Sequence, residues 1–255
     1  MNISYEMNPP KIKRNTTFDL DLLKQDMDKF YERISQLVAL TDSIHLTDSV
    51  FGIPRISSIS AAHEIINIHS GIKLRCSVRA RDKNLNAIIQ LVSDAIMMGV
   101  EGLLIIKGDK PENPSIDSGL LSSDIVKTLN EQGFGDKIKL FLSLPNNPDL
   151  NQIQKKMEAG PFGFITQLIS SLHHLQKIVD HVKSNNRRVI PMIMVPSPKN
   201  KESATLIGLD WREYENDTYL FIKQALAMCG EVLITSPNSF NGGMNLLNKI
   251  RVEIN

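Results

Sequence analysis

The sequence feature that most constrains the fold is a regular alternation of short apolar runs with longer amphipathic segments along all 255 residues. The short runs are rich in apolar and β-branched residues, as buried strands are, and cover 1–7, 43–48, 73–79, 102–108, 138–144, 162–168, 188–195 and 231–236. The longer segments carry apolar residues at helical spacing and cover 19–40, 58–70, 84–99, 122–132, 149–159, 171–185, 211–229 and 243–253. Repeated strand-then-helix units indicate parallel strands joined by crossover helices.

This alternation predicts a (β/α)8 TIM barrel, with a doubly wound sheet as the second candidate. A length of 255 residues is ordinary for such a barrel. No sequence repeat and no Gly/Ser-rich linker interrupts the pattern, so we expect one domain over residues 1–255.

Composition excludes several function classes. With 29 Lys and Arg against 28 Asp and Glu, no large net charge attracts nucleic acid or an anionic membrane. No apolar run approaches the roughly 20 residues of a membrane span, and the first residues lack a signal-peptide pattern. Cys76 and Cys229 are isolated, without a C-x-x-C motif or a nearby His. We therefore expect a cytoplasmic protein without a metal site.

A barrel places its chemistry on the loops that follow the carboxyl ends of its strands. These positions are polar here, whereas the strand interiors are apolar. They comprise Glu6, Thr47–Ser49, Arg79–Asp82, Lys107–Asp109, Asn146–Asn147, Thr166–Gln167, Ser197 and Thr235–Ser236. The contrast predicts a ligand-binding face at this end of the barrel.

Two of these strand ends carry more specific signals. Pro9 and Pro10 cannot donate ladder hydrogen bonds, so the first strand must end there and leave Glu6 at its mouth. A plain surface carboxylate is the alternative for Glu6. Gln167 interrupts the apolar run FGFITQLI, where a buried amide needs a partner. Either a polar ligand or a neighbouring strand would supply that partner.

Several motifs at these strand ends resemble, in order, those of the methylenetetrahydrofolate reductase family. The family patterns SFEFFPPK, CRDRN and RGDxP are similar to segments of this chain, and so are its second-strand loop and its Lys-x-x-Ala-Gly helix end. The matching segments are SYEMNPPK (4–11), TDSVFGIPRISS (47–58), ARDKN (80–84), KGDKP (107–111), KMEAG (156–160) and ITQ (165–167).

The resemblance implies a short, barrel-only oxidoreductase of one-carbon metabolism and methionine biosynthesis. Such an enzyme reduces 5,10-methylenetetrahydrofolate, or a related reduced pterin, to the 5-methyl form. NADH or NADPH would supply the hydride, and FAD bound across the barrel mouth would carry it. A reduced folate and a nicotinamide nucleotide would be its partners, and a homo-oligomer is compatible with the resemblance.

The resemblance also implies roles for individual residues. Glu6 would be the general acid, Asp109 would act beside the flavin and the pterin, and Gln167 would hydrogen-bond the pterin. The cofactor-binding positions would be Thr47, Ser77, Lys107, Gly108, Asp109, Asn147, Asp149 and Lys156. Gly108–Asp109 could instead form a simple turn, and Lys156 could be a solvated helix residue. RARDK at 79–83 reads as a basic patch that binds cofactor phosphates, a folate tail or water.

The chain also departs from the family pattern. Met7 and Asn8 replace two aromatic residues, Ser77 replaces a His, and Lys107 replaces an Arg. Most of these positions contact the flavin in the family. Three alternatives therefore stay open: a flavin-independent reductase that takes hydride directly from a nicotinamide or a deazaflavin, a pterin-binding methyltransferase, and a catalytically silent regulatory barrel. A tetrahydromethanopterin-type substrate stays open as well.

Overall fold

The computed structural model describes residues 2–13, 17–109, 117–183 and 185–254. Eight parallel strands close into a barrel in sequence order, which confirms the (β/α)8 prediction over the doubly wound sheet. The strands are β1 Asn2–Met7, β2 Ser43–Leu46, β3 Lys73–Arg79, β4 Gly102–Ile106, β5 Lys139–Leu144, β6 Gly163–Leu168, β7 Arg188–Met194 and β8 Glu231–Thr235. Met1, which was predicted to open the first strand, lies outside the described residues.

Helices surround the barrel: α1 Leu20–Val38, α2 Ser58–Ile68, α3 Leu85–Met97, α4 Ser122–Glu131, α5 Leu150–Met157, α6 Leu172–Lys183, α7 Lys201–Leu206, α8 Thr218–Cys229 and α9 Phe240–Ile254. Side-chain caps explain several of their starting points. The carboxylate of Asp19 accepts the N–H of Leu22 at 2.9 Å, and Asn84 caps α3 in the same way. No helix within the described part of the chain is both long and apolar enough to cross a membrane.

The predicted helix over 211–229 is the element that differs most from the structure. Its helical part, α8, begins only at residue 218, and the short helix α7 was not predicted. The preceding turn is instead docked by Tyr214, whose hydroxyl donates to the carbonyl of Met194 at 3.1 Å. Its ring stacks on Phe221 with 4.5 Å between centroids. This tertiary contact fixes the turn and interrupts the helical pattern.

The barrel interior has an apolar half and a polar half. The apolar half is a small cluster separate from the outer strand–helix core and consists of Leu104, Phe141, Ile165, Ile190 and Leu233. The polar half comes from β8, β1, β2 and β3, and its buried members are Ser4, Ser43, His45, Arg75, Ser77, Glu231 and Thr235. The seam at which the last strand meets the first therefore lies in the polar half.

A buried ion pair organises this polar half at the amino-terminal end of the barrel. Arg75 donates from Nη2 to Glu231 and Ser4, and to Ser43 Oγ at 3.0 Å. Ser4 Oγ in turn donates to Glu231 at 2.6 Å. A cavity of about 180 Å³ is lined by this pair and opens at the amino-terminal end, where barrels build stability rather than chemistry.

We expect Arg75→Met to lower the free energy of unfolding by about 3–5 kcal/mol, because it strands the buried Glu231 carboxylate without its partner. The double variant Arg75→Met/Glu231→Leu should recover most of that loss. Urea denaturation measures both changes. Arg212→Met removes a solvent-exposed pair with Asp210 and is the matched control, for which we expect no measurable change. An equal effect of the two single variants would contradict this account of the seam.

Candidate active site

Glu6 lies at the mouth of the barrel, near the carboxyl end of β1. The proline segment that follows it leaves the sheet and is tied to the loop after β2. Arg55 Nη1 donates to the carbonyl of Pro9 at 2.7 Å, and the N–H of Ile56 donates to the carbonyl of Pro10 at 3.0 Å. Two prolines therefore end the strand and brace the wall beside the carboxyl group.

The Glu6 carboxyl group is set up to keep its proton. Thr235 Oγ1, on the neighbouring strand β8, donates to Glu6 Oε1 at 2.8 Å. Desolvation by burial raises the pKa of Glu6, and the hydrogen bond from Thr235 lowers it by a smaller amount. The net shift is upward, so Glu6 retains its proton at higher pH than a free glutamate.

His45, which the sequence analysis did not select, is the neighbour of Glu6 on the other side. The two residues are register partners between β1 and β2. His45 is fully buried and hydrogen-bonded through Nε2 to Ser77 Oγ at 2.8 Å. Burial, together with the charge of Arg75, lowers the pKa of His45 to about 3, so the imidazole is neutral. A neutral neighbour gives Glu6 no positive charge that would offset its desolvation.

Asp109 follows β4 and has an exposed carboxylate at the rim of the mouth. Its Oδ2 accepts the backbone N–H of Phe51, in the loop after β2, at 2.9 Å. The remainder of the KGDKP motif, Lys110 and Pro111, lies outside the described residues. Asp109 therefore joins two loops of the mouth and still has lone pairs for a ligand.

Arg79 is a second residue of the mouth that the sequence analysis did not single out. Its side chain is only 1% exposed, and Nη2 donates to the carbonyl of Asp109 at 2.6 Å. Nη1 donates to the carbonyl of Ser49 at 3.4 Å, and Nε lies 3.1 Å from Asp82 Oδ2. The guanidinium thereby joins the loops after β2 and β4. The first arginine of RARDK is thus an internal clamp, not part of a basic surface patch.

Gly108 is required where it stands because of this clamp. It adopts φ +85°, which favours glycine, and a Cβ there would lie 2.5 Å from Arg79 Cγ. The predicted turn at Gly108–Asp109 is therefore present, and it also brings Asp109 to the rim.

The expectation of a buried amide at Gln167 is wrong, because the Gln167 side chain is exposed. The pairing of β6 with β7 shifts between Ile165 and Leu168, which is the signature of a bulge. Thr166 is the buried residue, and its Oγ1 accepts the N–H of Met192 at 3.1 Å. A bulge of this kind redirects side chains, and here it leaves the Gln167 amide open to a ligand.

The predicted cofactor-binding residues divide into two groups. Thr47 and Ser77 are buried and engaged: Thr47 Oγ1 donates to Asn8 at 2.5 Å, and Ser77 bonds His45. Lys156 is partly buried, donates from Nζ to the carbonyl of Ser143, and has a pKa lowered by burial. Lys107, Asp109, Asn147 and Asp149 have exposed side chains, although Asp149 also caps α5.

The exposed group fits a polar nucleotide that lies along the β4 and β5 side of the mouth. Its lysine and amide groups suit phosphate and hydroxyl partners. Ser77 does not fit as a direct contact, because its hydroxyl is buried in the barrel wall. Within the described ranges, no group of three or more His, Cys, Asp or Glu residues could hold a metal ion.

Comparisons with known proteins point the same way as these motifs. The family described as methylenetetrahydrofolate reductase matches residues 1–203. No curated protein sequence gives a significant match. A structure titled riboflavin lyase (RcaE) with modified FMN and riboflavin superposes with a TM-score of 0.62 at 9% identity, over 99% of this chain and 91% of that one. A structure titled QR15, an aldolase, gives 0.56 at 9% identity, over 99% and 96%. Similarity at this level shows the barrel fold alone.

We expect Gly108→Ala to destabilise the protein by about 1–2 kcal/mol through its left-handed backbone and by roughly 1–3 kcal/mol more through overlap with Arg79. Gly133→Ala is the matched control, since Gly133 has φ +81° and nothing within 4 Å of its Cβ position. Urea denaturation of both variants separates the two contributions. Equal losses would mean that Arg79 yields freely and does not clamp the mouth.

Proposed function

The chain belongs to the methylenetetrahydrofolate reductase family, and we propose that it reduces 5,10-methylenetetrahydrofolate, or a related reduced pterin, to the 5-methyl form. The observation that carries this proposal is the Glu6 carboxyl group at the barrel mouth, with its raised pKa. The proposed enzyme is a single catalytic domain over residues 1–255. It acts in the cytoplasm, in one-carbon metabolism, and NADH or NADPH is the source of the hydride.

In the proposed reaction, Glu6 donates its proton to the bridging nitrogen that leaves the methylene carbon. The carbon–nitrogen bond breaks towards that nitrogen, and the other nitrogen forms an iminium with the methylene carbon. A hydride then adds to this carbon and completes the methyl group. A proton and a hydride are consumed for each substrate, and the carboxylate of Glu6 regains its proton from solvent. A general acid with a pKa raised towards neutrality suits this task.

Asp109 and Gln167 are the proposed pterin-binding residues. Both side chains are exposed at the mouth, at the ends of β4 and β6 respectively. A pterin presents an amide edge that donates and accepts hydrogen bonds. A carboxylate accepts from that edge, and the Gln167 amide can both donate and accept.

Flavin, when bound, supplies an acceptor for the nicotinamide hydride and a donor for the methylene carbon. Lys107, Asn147 and Asp149 are the residues proposed to hold it, because their side chains are exposed on one side of the mouth. Lys156 would contribute positive charge near the pyrophosphate, although it now donates to the carbonyl of Ser143.

Direct hydride transfer from a nicotinamide or deazaflavin is the second candidate, and one observation favours it. Thr47 and Ser77, at positions associated with the flavin, are buried and already hydrogen-bonded within the barrel wall. A nicotinamide deuterated at the transferred position distinguishes the two routes. Direct transfer places deuterium in the product methyl group, whereas reduced flavin exchanges it with water. Mass spectrometry of the product reads the label.

We expect Glu6→Gln to lower kcat for pterin reduction by about 100- to 10,000-fold, the usual range for loss of a general acid. Any reduction of bound flavin by NADH or NADPH should be largely unaffected. Stopped-flow absorbance measures the two half-reactions separately. A similar loss in both half-reactions would contradict the role of Glu6 as the acid.

The pH dependence offers a second test of Glu6. The rate of pterin reduction should fall as pH rises through the raised pKa of Glu6, because the acid form is then lost. Thr235→Val removes a hydrogen bond that favours the carboxylate, so this fall should move to higher pH. Folding stability follows the same sign: the buried carboxyl loses stability as pH rises above its unfolded pKa. Glu6→Gln should therefore be more stable than the unaltered protein at pH 8, with a smaller difference near pH 5.

A further inference from the structure

Phe51 combines an exposed ring with a backbone conformation that phenylalanine rarely adopts. It has φ 56° and ψ 25°, in the left-handed region, and the residue is 55% exposed. A bulky residue with positive φ costs free energy that glycine would not. Solvent covers more than half of this residue, so burial of the ring compensates little of that cost. Such strain at a candidate site motivates a functional explanation.

The mouth itself holds Phe51 in this conformation. Its N–H donates to Asp109 Oδ2 at 2.9 Å, which places the residue directly beside the proposed pterin-binding carboxylate. The next residue, Gly52, has φ 68° and donates to the carbonyl of Ser49 at 2.8 Å. Arg79 lies beneath this turn and donates to the same Ser49 carbonyl. Three loop contacts thus present an aromatic ring at the rim of the barrel.

We propose that Phe51 is a specificity-determining residue whose ring stacks on the face of a planar heterocycle at the barrel mouth. Asp109 would meet the edge of that heterocycle while Phe51 covers its face. The inference rests on the proposed function, since the ring would be the pterin of the substrate or the flavin or nicotinamide of its hydride donor. These rings share flat, electron-poor π-faces, for which an aromatic side chain is a suitable partner.

The same carboxylate can serve both partners. A carboxylate has about four acceptor positions, and the N–H of Phe51 takes one of them. Asp109 therefore acts as a positioning residue for Phe51 and keeps acceptor capacity for the ligand. In Asp109→Asn the amide oxygen can still accept from Phe51, whereas Asp109→Ala removes the contact.

Phe51→Gly separates ligand binding from folding. Glycine accepts the left-handed backbone without penalty, so the variant should be at least as stable as the unaltered protein in urea denaturation. Its affinity for the stacked ligand should fall about 5- to 150-fold, the range that corresponds to the loss of a base–aromatic stack. Ser49→Gly is the matched control: Ser49 also has a positive φ, 42°, but carries no ring, so binding should be unchanged.

Equilibrium dialysis with 5-methyltetrahydrofolate, FAD and NADH in turn identifies which ring is stacked. Loss of affinity for one of them in Phe51→Gly, but not in Ser49→Gly, supports the inference and names the ligand. Affinities within twofold of the unaltered protein for all three would overturn it, while the proposed reaction would stand. If the unaltered protein bound none of the three, the proposed function would fail together with the inference.

Phe51→Trp gives an independent measurement if the glycine variant folds poorly. The indole keeps the stacking face, so affinity should stay close to that of the unaltered protein. Its fluorescence should be quenched by the stacked ligand, measured against the signal of Trp211, the single tryptophan of the chain. Unquenched indole emission at saturating ligand would overturn the stacking.

Discussion

Closure of the barrel through the pairing of β1 with β8 is the constraint on which the rest of the structure depends. The N–H of Asn2 donates to the carbonyl of Gly230 at 2.9 Å, and the register runs from Asn2 with Glu231 to Tyr5 with Ile234. Closure brings the carboxyl ends of all the parallel strands into one ring. Only then can the hydroxyl of Thr235 reach Glu6, which is 229 residues away in sequence.

The polar seam also determines the electrostatics of the mouth. Arg75 is engaged with Glu231 at the amino-terminal end, and the His45 imidazole between the two ends is neutral. The carboxyl group above them is desolvated without a cationic partner, which is the condition for a general acid with a raised pKa. The opposite side of the mouth has a different character: Arg79 clamps its loops, and Asp109 and Phe51 form a rim that suits a planar ligand. One side therefore supplies a proton and the other positions a ring.

Sequence patterns predicted the fold and the place of Glu6 because both depend on local periodicity and on proline chemistry. The third strand was predicted at 73–79 and has those bounds. Patterns could not show that Arg79 is buried, since its partners come from loops that only closure brings together. The bulge that exposes Gln167 and the left-handed turn at Phe51 likewise depend on contacts with other segments. Helical periodicity over 211–229 could not reveal that Tyr214 would dock its turn on β7.

The most direct test of the central claim is an anaerobic incubation of the purified protein with 5,10-methylenetetrahydrofolate and NADH or NADPH, with and without added FAD. Chromatography with mass spectrometry measures the folate product, and absorbance measures the nicotinamide that is oxidised. A reductase barrel with Glu6 as its acid predicts one 5-methyl product for each nicotinamide oxidised. Protein that binds the folate but returns it unchanged with every donor would contradict this function and would favour a catalytically silent pterin-binding barrel.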